Sequence, residues 1–407
     1  MLKGWMRSYS REAPNMLSEN GSKVQGLSVK KAVISQDEYR RYGRHLIMPE
    51  VGIAGQERLK SSKVLVVGAG GLGSPCSLYL AAAGVGTIGI VDYDTVDETN
   101  LHRQILFNGD DVGSSKALTA STKLSKVNPN LEIKTHEEKL TSKNALEILR
   151  EYDIIIDGTD NFPARYLIND SCVILGKPNV YASIFRFEGQ VSVFYPEQSG
   201  PCYRCLFPKP PQPGVVPTCA EAGVLGVLPG LIGLVQATES LKLILGIGET
   251  LVGRLLIYDA LSMRFDDLEI NKNPKCPVCG PSPEITQLID YENFCGVMEE
   301  SIIGSVTPAQ LNIELKQGKK IILLDVREPR EYDLVHIEGS KLMPLNQLSL
   351  RLDEIDSTED IVVYCHTGIR SERAAEYLRG VGYKKVRNLI GGIDEWVAKI
   401  DTALPRY

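Results

Sequence analysis

The segment KVLVVGAGGLGSPCSLYLAAAG, residues 63–84, restricts the fold of this chain more than any other feature. A run of apolar, mostly β-branched residues is followed by Gly68, Gly70 and Gly73 at the spacing G-x-G-x-x-G, and then by an alanine-rich stretch. This order predicts a strand, a tight turn and a helix, because glycines let the backbone approach a phosphate at a helix N-terminus. The segment therefore indicates a nucleotide-binding α/β unit.

Buried strands and helices alternate beyond this segment. Residues 87–94, TIGIVDYD, and 152–161, YDIIIDGTDN, predict strands, and residues 165–175, RYLINDSCVIL, predict a helix. Such alternation favours a mostly parallel sheet in an α/β fold. A second, shorter βα series follows, with strands predicted in KIILLDV and DIVVYC. The predicted organisation is a disordered extension at 1–29, a first domain at 30–290, a linker at 291–303 and a small α/β domain at 304–405.

The amino-acid composition indicates which classes of partner this protein can bind and which cellular compartment it occupies. A net charge of −6 with 24% charged residues is ordinary for a globular protein and argues against nucleic acid as a partner. No uninterrupted apolar run reaches the length of a membrane span, and the first residues hold no apolar stretch of signal-peptide length. Nine cysteines, an odd number, then indicate a reducing compartment, so we expect a cytoplasmic protein that does not enter a membrane.

Asp92 ends the strand that follows the glycine turn, where a ribose hydroxyl would be bound. The turn and Asp92 fit NAD and ATP equally well, and a purely structural turn is a further alternative. Cationic residues beside the turn separate these alternatives. Phosphoryl or nucleotidyl transfer uses cations and a metal-binding carboxylate to neutralise a polyphosphate, whereas hydride transfer to nicotinamide needs no such set.

The chain supplies such residues after Asp92. They are Asn100, Arg103, Gln104, Lys116, Asp160, Asn161 and Arg165. Taken singly, Arg103 and Lys116 could be solvated surface charges. Several polar and charged residues beside one glycine turn favour ATP instead, and with it phosphoryl or nucleotidyl transfer.

Four segments, RYGRHL, GAGGLG, DYDTVDETNLHRQ and GTDNFPAR, resemble the E1-like activating enzymes of the molybdopterin-synthase and thiamine-sulfur adenylyltransferase type. The resemblance extends over the first domain and implies a Rossmann-like, ThiF-type fold that binds ATP. The glycines of the turn and the residues that match ATP contacts are Arg44, Gly68, Gly70, Gly71, Gly73, Asp92, Asn100, Arg103, Gln104, Lys116, Asp160 and Asn161.

The resemblance also implies an ion, an assembly and a substrate. Asp160 would hold Mg²⁺, and Arg44 would reach the ATP site of a neighbouring subunit, which implies a homodimer. The family substrate is a ubiquitin-like sulfur carrier protein that ends in Gly-Gly. The carboxylate of this tail is ionised at pH 7, so its attack on the α-phosphorus of ATP requires electrostatic neutralisation rather than a general base.

Four cysteines form two Cys-x-x-Cys pairs, Cys202 with Cys205 and Cys276 with Cys279. Two such pairs are the usual ligand set of a tetrahedral zinc ion. A redox dithiol is the alternative, although neither pair is predicted to open a helix as redox-active pairs do. The resemblance also implies structural zinc.

Cys219 stands alone at the end of a proline-rich segment, before an apparent helix. A helix N-terminus favours a thiolate, so Cys219 is a candidate nucleophile, and a small packing or capping residue is the alternative. In sulfur-carrier activators of this arrangement, the matching cysteine is proposed to form a covalent link with the carrier's C-terminus. The resemblance therefore implies a catalytic role for Cys219.

The segment VVYCHTGIRSERAAEYL, residues 362–378, predicts a buried strand, a tight loop headed by Cys365, and a helix. Cysteine phosphatases place an arginine six positions after the cysteine, in a loop wide enough for phosphate. Arg370 comes five positions after Cys365. The loop is therefore one residue tighter and suits a single sulfur atom.

LLDVREPREYDLVHIEGS and GGIDEW resemble the upstream and downstream signatures of rhodanese domains. The upstream match includes Asp325, Arg327, His336 and Gly339. The resemblance implies that N–H groups of residues 366–370 surround the Cys365 sulfur and stabilise a persulfide anion. Arg370 would then favour anionic sulfur donors.

Together the two resemblances imply one reaction sequence. The first domain adenylates the carrier, and a Cys365 persulfide then supplies sulfur, directly or through Cys219, to give a thiocarboxylate. The sulfur donor would be a cysteine-desulfurase persulfide or thiosulfate. The alternatives are an NAD-binding oxidoreductase coupled to persulfide chemistry and a scaffold with a non-catalytic rhodanese module. Molybdenum cofactor synthesis, tRNA thiolation, thiamine synthesis and cysteine synthesis all stay open as pathways.

Overall fold

The computed structural model describes residues 32–211, 222–295 and 304–407 of the 407-residue chain. These residues form two compact units, the first made by most of the chain up to Leu288 and the second mainly by Ile289–Tyr407. Each unit is built on its own β-sheet.

The predicted domain boundaries fall partly outside the described residues. The extension predicted at 1–29 lies outside them, and so does most of the linker predicted at 291–303. At the start of that linker, Tyr291–Phe294 form a short helix, and Cys295 is buried. The boundaries themselves stay predictions.

Eight strands and nine helices make up the described part of the first unit. The strands are β1 (Lys63–Val67), β2 (Thr87–Val91), β3 (Glu132–His136), β4 (Ile154–Asp157), β5 (Asn179–Phe185), β6 (Glu188–Phe194), β7 (Arg254–Asp259) and β8 (Arg264–Glu269). The helices are α1 (Gln36–Arg41), α2 (Gly43–Leu46), α3 (Gly52–Ser61), α4 (Gly73–Ala83), α5 (Lys116–Val127), α6 (Ala145–Arg150), α7 (Phe162–Leu175), α8 (Tyr203–Leu206) and α9 (Leu228–Leu245). The strands predicted at 87–94 and 152–161, and the helix predicted at 165–175, are confirmed as β2, β4 and α7.

The strand order in this sheet is β3-β2-β1-β4-β5-β6-β7-β8. Strands β1 to β5 pair in parallel, which confirms the predicted α/β fold with a mostly parallel sheet. Strands β6 to β8 extend it in antiparallel pairs, an extension that the alternation of strands and helices did not predict. Antiparallel neighbours need only short connections, and β5 and β6 are joined by Arg186 and Phe187.

The strand order reverses between β1 and β4, because the chain adds β2 and β3 on one side of β1 and β4 and β5 on the other. In open α/β sheets, ligands bind outside the carboxyl ends of the strands at such a point. The glycine turn follows β1, and Asp157 ends β4. Both therefore lie at the crevice where a nucleotide would bind.

Buried strands and an apolar helix form the core of the first unit. Every residue of β2 and β4 is buried, and α9 packs against α4, β5 and β6. Within the described residues, α9 is the one helix long and apolar enough to cross a membrane, and 61% of it is buried inside the protein. Such burial is typical of a core helix.

The second unit is a smaller α/β domain around one parallel sheet. Its strands are β9 (Ser305–Val306), β10 (Ile321–Asp325), β11 (Lys341–Leu342), β12 (Asp360–Tyr364) and β13 (Val386–Leu389), in the order β11-β10-β12-β13-β9. Its described helices are α10 (Tyr291–Phe294), α11 (Pro308–Lys316), α12 (Pro329–Leu334), α13 (Ile369–Gly380) and α14 (Gly392–Lys399). Alternate residues of the central strand β12 enter two separate apolar clusters, so both faces of the sheet are covered.

Candidate active sites

The glycine turn at the end of β1 leaves no room for side chains. Gly68 has a φ of +92°, and a Cβ there would lie 2.9 Å from the carbonyl oxygen of Gly158. A Cβ at Gly73 would lie 1.9 Å from the carbonyl oxygen of Gly68, closer than atoms can approach. Since α4 begins at Gly73, the positive end of an 11-residue helix opens at the turn. This is the shape and the dipole that phosphate binding requires.

Asp92 is buried immediately after β2 and supports the turn. Its Oδ2 accepts a hydrogen bond from Ala69 N at 2.8 Å, and its Oδ1 accepts one from Asp94 N at 2.9 Å. Burial raises the pKa of Asp92, although these bonds and the charge of Lys116 act in the opposite direction. Support of the turn is thus a role that the structure adds, and ribose binding stays a prediction.

Three predicted ATP contacts form one cluster against the turn. Asn100 Oδ1 accepts hydrogen bonds from Arg103 Nη2 at 3.0 Å and from Gln104 Nε2 at 2.9 Å. A Cβ at Gly70 would lie 3.6 Å from Gln104 Nε2, and one at Gly71 would lie 3.7 Å from Arg103 Cγ. Gln104 is buried, and its Oε1 has no hydrogen-bond partner among the described residues. The structure therefore brings these side chains to the turn, while their contact with ATP stays a prediction.

Lys116, at the start of α5, is only 5% exposed. Its Nζ forms an ion pair with Asp94 Oδ2 at 3.0 Å, and the Asp94 side chain is half exposed. Because Asp94 N is bonded to Asp92, the ammonium group is linked to the end of β2. An ammonium group paired with an accessible carboxylate can exchange that partner for a phosphate, which fits the role predicted for Lys116.

The loop after β4 carries Asp160 and Asn161, and both are exposed. Gly158 of the same loop packs against Gly68, so the loop begins beside the glycine turn. Magnesium prefers carboxylate oxygens as protein ligands, and the accessible carboxylate of Asp160 fits that ion.

Asp157, the last residue of β4, is a site candidate that the sequence reasoning missed. It is fully buried, and its Oδ1 accepts a hydrogen bond from Thr159 N at 3.0 Å. Its Oδ2 has no partner among the residues that the structure describes. Burial raises the pKa of Asp157, and the nearby charge of Arg165 opposes this. A carboxylate at the end of a buried strand, as at Asp92, is the signal that could have identified it.

Two predicted site residues are not part of this cluster. Arg44 lies on α2 with an exposed side chain, and no hydrogen bond among the described residues joins it to the glycine turn. Its action on a neighbouring subunit stays a prediction. Cys219 lies outside the described residues, so its role also stays a prediction.

The four predicted metal ligands meet at one place in the first unit. The Sγ atoms of Cys202, Cys205, Cys276 and Cys279 all lie within 4.8 Å of one another. The shortest separations are 3.4 Å between Cys205 and Cys279 and 3.5 Å between Cys202 and Cys276. Four thiolates around a tetrahedral zinc ion would be about 3.8 Å apart. The cluster could therefore hold zinc after small movements, and four convergent thiols favour a metal over a redox dithiol.

One expectation about these cysteines is wrong. Cys202 is the N-cap residue of α8, so the first Cys-x-x-Cys pair does open a helix, although one of only four residues. The cause lies on α7, where Asn169 Oδ1 accepts a hydrogen bond from Tyr203 N at 2.7 Å and orders the first turn of α8. Contact with the second pair, rather than the absence of a helix, is what argues for a metal.

A buried ion pair fixes α8 against α7. Arg204 donates to Asp170 through Nε and Nη2, each at 2.8 Å, and neither side chain is more than 1% exposed. Replacement of Asp170 by alanine would leave the guanidinium group buried without its main counter-charge. We expect the free energy of unfolding, measured by urea denaturation, to fall by about 3–5 kcal/mol. The matched control is Asp266→Ala, whose ion pair with Arg264 is exposed and should contribute less than about 1 kcal/mol. Equal losses in the two variants would contradict this expectation.

Cys365 follows β12 and is fully buried at the base of its loop. Its Sγ accepts a hydrogen bond from Gly368 N at 3.1 Å, and Ser371 Oγ lies 3.4 Å away. Gly368 has a φ of +101°, and a Cβ there would lie 3.2 Å from Gly391 N, so this position requires glycine. The wider ring of N–H groups expected from residues 366–370 stays a prediction.

The start of α14 supports the cysteine loop. Ile393 N donates to Cys365 O at 2.9 Å, and Asp394 N donates to His366 O at 3.1 Å. The segment GGIDEW therefore fixes the loop backbone. His366 is buried, with its ring 4.5 Å from that of Tyr407, and burial lowers the pKa of His366. A neutral imidazole at pH 7 follows.

Residues of the upstream rhodanese signature connect the end of β10 to α12 through hydrogen bonds. Arg327 Nε donates to Asp325 Oδ1 at 2.9 Å, and both side chains are fully buried. Arg327 Nη2 also donates to Val335 O at 2.7 Å, at the end of α12. His336 stacks on Tyr332 with ring centroids 4.0 Å apart. These contacts place α12 beside the cysteine loop.

These features define a class of protein. The first unit combines a doubly wound sheet, a phosphate-binding turn at its switch point and cationic side chains beside that turn, as in nucleotide-dependent enzymes. The second unit holds a buried cysteine at the end of a central strand, beneath the N-terminus of a helix, as in domains that handle a nucleophilic sulfur.

Two family models match the chain. The model of the ThiF family matches residues 42–278, and the model of the rhodanese-like domain matches residues 307–399. The chain therefore belongs to the ThiF family and carries a C-terminal rhodanese-like domain. Both predicted resemblances are confirmed, and so is the predicted class of enzyme, an adenylyltransferase and sulfurtransferase.

Curated relatives match either most of this chain or its first domain. The chain is 47% identical over 386 residues to "Probable adenylyltransferase/sulfurtransferase MoeZ" of Mycobacterium tuberculosis, with 92% of this chain and 97% of the relative covered. It is 42% identical over 393 residues to "Adenylyltransferase and sulfurtransferase MOCS3" of Drosophila sechellia, with 92% and 86% covered. The first domain is 55% identical over 267 residues to "Sulfur carrier protein adenylyltransferase" of Thermus thermophilus, with 65% and 98% covered.

Solved structures share the fold of the first unit. The crystal structure of Escherichia coli MccB with ATP aligns with a TM-score of 0.54 at 23% identity, and the alignment covers 62% of this chain and 77% of that one. At this identity the likeness shows the fold alone. ATP as the nucleotide is consistent with membership of the ThiF family.

Proposed function

We propose that this enzyme adenylates the C-terminal Gly-Gly carboxylate of a ubiquitin-like sulfur carrier protein and then places on it a sulfur atom carried by Cys365. The observation that carries the proposal is the presence, in one chain, of a glycine turn with Arg103 close to Gly71 and of a buried Cys365 sulfur that accepts a backbone N–H. The names of the relatives from T. thermophilus and D. sechellia support the carrier and the two reactions.

In the first step, a carboxylate oxygen of the carrier attacks the α-phosphorus of ATP, and pyrophosphate leaves. Both reactants are anions, so the reaction is accelerated mainly by groups that neutralise the phosphates. The N-terminus of α4 supplies N–H groups, Arg103 supplies a guanidinium group on a side chain whose Cγ lies near Gly71, and Lys116 supplies an ammonium group after release of Asp94.

Several finer assignments belong to the same proposal. Asp160 would hold Mg²⁺, which supplies further positive charge at the phosphates. The exposed Arg44 would act in the ATP site of a second copy of the chain, so a homodimer in the cytoplasm is proposed. The four-cysteine cluster would hold a structural zinc ion.

In the second step, the outer sulfur of a Cys365 persulfide attacks the acyl carbon of the adenylated carrier, and AMP leaves with the bonding pair. The carrier is then joined to Cys365 through a sulfur–sulfur bond. Attack by a thiol on the Cys365 sulfur breaks that bond, forms a disulfide with Cys365 and releases the thiocarboxylate. In the alternative route through Cys219, the Cys219 thiolate is the second nucleophile: it first links to the carrier's C-terminal carbonyl with loss of AMP, and the persulfide then attacks that carbonyl and displaces the Cys219 thiolate. The Gly368 N–H and the N-terminus of α13 stabilise the sulfur anions involved.

The first step can be tested by ATP–pyrophosphate exchange with purified Gly-Gly carriers. We expect exchange only with a carrier that retains its Gly-Gly tail. Replacement of Lys116 by alanine should lower the rate roughly a hundredfold or more, because a buried cation at the phosphates is lost. The control is Lys123→Ala on the same helix, where the lysine pairs with Asp111 and should be dispensable.

Two results would contradict the proposal. One is exchange that persists when the Gly-Gly tail is deleted from every carrier tested. The other is tight binding of NAD in place of ATP with indifference to Lys116, which would favour the oxidoreductase alternative. Equal losses in the Lys116→Ala and Lys123→Ala variants would show instead that the assay reports the stability of α5.

A further inference from the structure

Arg370, in the first turn of α13 directly after the cysteine loop, is held by a carboxylate of the same domain. Its Nη1 and Nη2 donate to Glu331 Oε2 and Oε1 at 2.8 and 2.7 Å, in a two-bond fork. The two side chains are only 13% and 12% exposed. Charge-assisted forks of this kind are among the strongest hydrogen-bonded pairs in proteins.

Glu331 is itself held in place from two further directions. Its Oε2 accepts the backbone N–H of Glu328 at 3.0 Å, and its Oε1 accepts the hydroxyl of Tyr407 at 3.2 Å. The Tyr407 hydroxyl in turn accepts a hydrogen bond from Arg327 Nη1 at 2.7 Å. The carboxylate therefore has four bonds from three sides, and its position is determined by the fold rather than by Arg370 alone.

The charges of this group cancel. Arg370 is matched by Glu331, and the buried Arg327 is matched by Asp325. A dianion that approaches the loop thus meets no net positive charge, and Arg370 must give up two short hydrogen bonds before it can bind a ligand. This is the opposite of the role expected for Arg370 from the sequence.

We propose that Glu331 is a specificity-determining residue, which holds Arg370 away from dianionic sulfur donors such as thiosulfate and so selects a thiol persulfide as the donor to Cys365. The inference rests on the proposed function in one respect, that Cys365 accepts sulfur. Tyr407 acts through Glu331 as a positioning residue.

The two donors react by the same displacement but differ in charge. The Cys365 thiolate attacks the outer sulfur of thiosulfate, the sulfur–sulfur bond breaks, and its electron pair leaves on sulfite, a dianion. With a thiol persulfide, the same attack expels a thiolate, which carries one negative charge. In each case one persulfide forms on Cys365 and no external oxidant or reductant is consumed. Only thiosulfate brings two charges that Arg370 would stabilise once the charge of Glu331 is removed.

The test compares two donors on the full-length enzyme, thiosulfate and cysteine persulfide, by the rate of sulfur addition to Cys365. We expect Glu331→Gln to shift the ratio of the two KM values about tenfold toward thiosulfate, since the amide keeps the shape of Glu331 and removes its charge. The shift should lie in KM rather than in kcat. Tyr407→Phe should move the ratio in the same direction by a smaller factor, because it removes one bond to Glu331. The control is Asp333→Asn, which removes an exposed charge from the same helix and should leave the ratio unchanged.

A second substitution shows whether a change in donor specificity comes from Arg370 or from damage to the fold. In the Glu331→Gln background, Arg370→Gln should abolish the gain with thiosulfate, because the Arg370 cation, no longer neutralised by Glu331, is what binds the dianion. An unchanged KM ratio in Glu331→Gln, with normal sulfur addition to Cys365, would overturn this inference and leave the proposed function intact. Failure of Cys365 to take sulfur from either donor, detected by mass spectrometry, would overturn both.

Discussion

Replacement of Cys365 by alanine should abolish formation of the carrier thiocarboxylate, while carrier-dependent ATP–pyrophosphate exchange continues at the wild-type rate. The alanine variant has no sulfur to form a persulfide, so the loss should be roughly a thousandfold or more. Exchange should persist because the phosphate-binding turn belongs to the other compact unit, which has its own sheet. Mass spectrometry of the carrier after incubation with ATP and a sulfur donor measures the first quantity, and radioactive exchange measures the second.

The matched control is Cys172→Ala, at a fully enclosed cysteine of α7. Burial raises the pKa of the Cys172 thiol, which keeps it protonated and unreactive, so this variant should retain both activities. Undiminished thiocarboxylate formation by the Cys365→Ala variant would contradict the proposed role and support the scaffold alternative, in which the rhodanese-like domain only recruits partners.

Removal of metal from the four-cysteine cluster should destabilise the first unit strongly. We expect one zinc ion per chain by elemental analysis, and a fall in Tm of more than about 10 °C after treatment with a chelator. The physical reason is that the four Sγ atoms lie within 4.8 Å of one another, and without a cation their thiolates would repel. Calorimetry of the full chain before and after chelation measures the effect.

Single substitutions distinguish the effect of losing a cysteine of the cluster from the effect of losing a cysteine elsewhere in the chain. Cys205→Ser should lose zinc and lower Tm, whereas Cys76→Ala, at a buried thiol of α4, should retain zinc. A purified protein without zinc that melts at the same temperature as the chelated sample would contradict the assignment. A reversible disulfide within either pair, detected in place of the metal, would favour the redox alternative.

The parts of the fold that could be predicted are those formed by residues close together in the chain. The glycine turn lies within one strand–turn–helix segment, and so does the Cys365 loop, where local patterning determines the backbone. Both segments have the structures that their residues indicated, from Gly68 to α4 and from Cys365 to α13.

Contacts between distant residues could not be predicted in the same way. Arg370 is joined to Glu331, 39 positions away, and Arg204 to Asp170, 34 positions away. Many acidic residues could have been the partner of either arginine, and only the tertiary fold selects among them. For this reason the sequence predicts Arg370 as a site for anionic donors but does not predict its ion pair with Glu331.

The antiparallel extension of the first sheet illustrates the same limit. The residue pattern of strands β6 to β8 is compatible with either edge of a sheet or with a separate hairpin. The order β5-β6-β7-β8 depends on hydrogen bonds between strands that the local sequence does not encode. Asp157 was missed because the crevice exists only once β1 and β4 are neighbours.

The separation of the four thiols along the chain has a consequence for biosynthesis. Cys202 and Cys276 meet although they are 74 positions apart in the chain, and Cys279 comes after β8. On the ribosome, the second pair emerges only when the whole eight-stranded sheet has been synthesised. A zinc ion would thus meet all four thiols only in a nascent chain that extends to Cys279, and a chain truncated before Cys276 would hold only one of the two pairs.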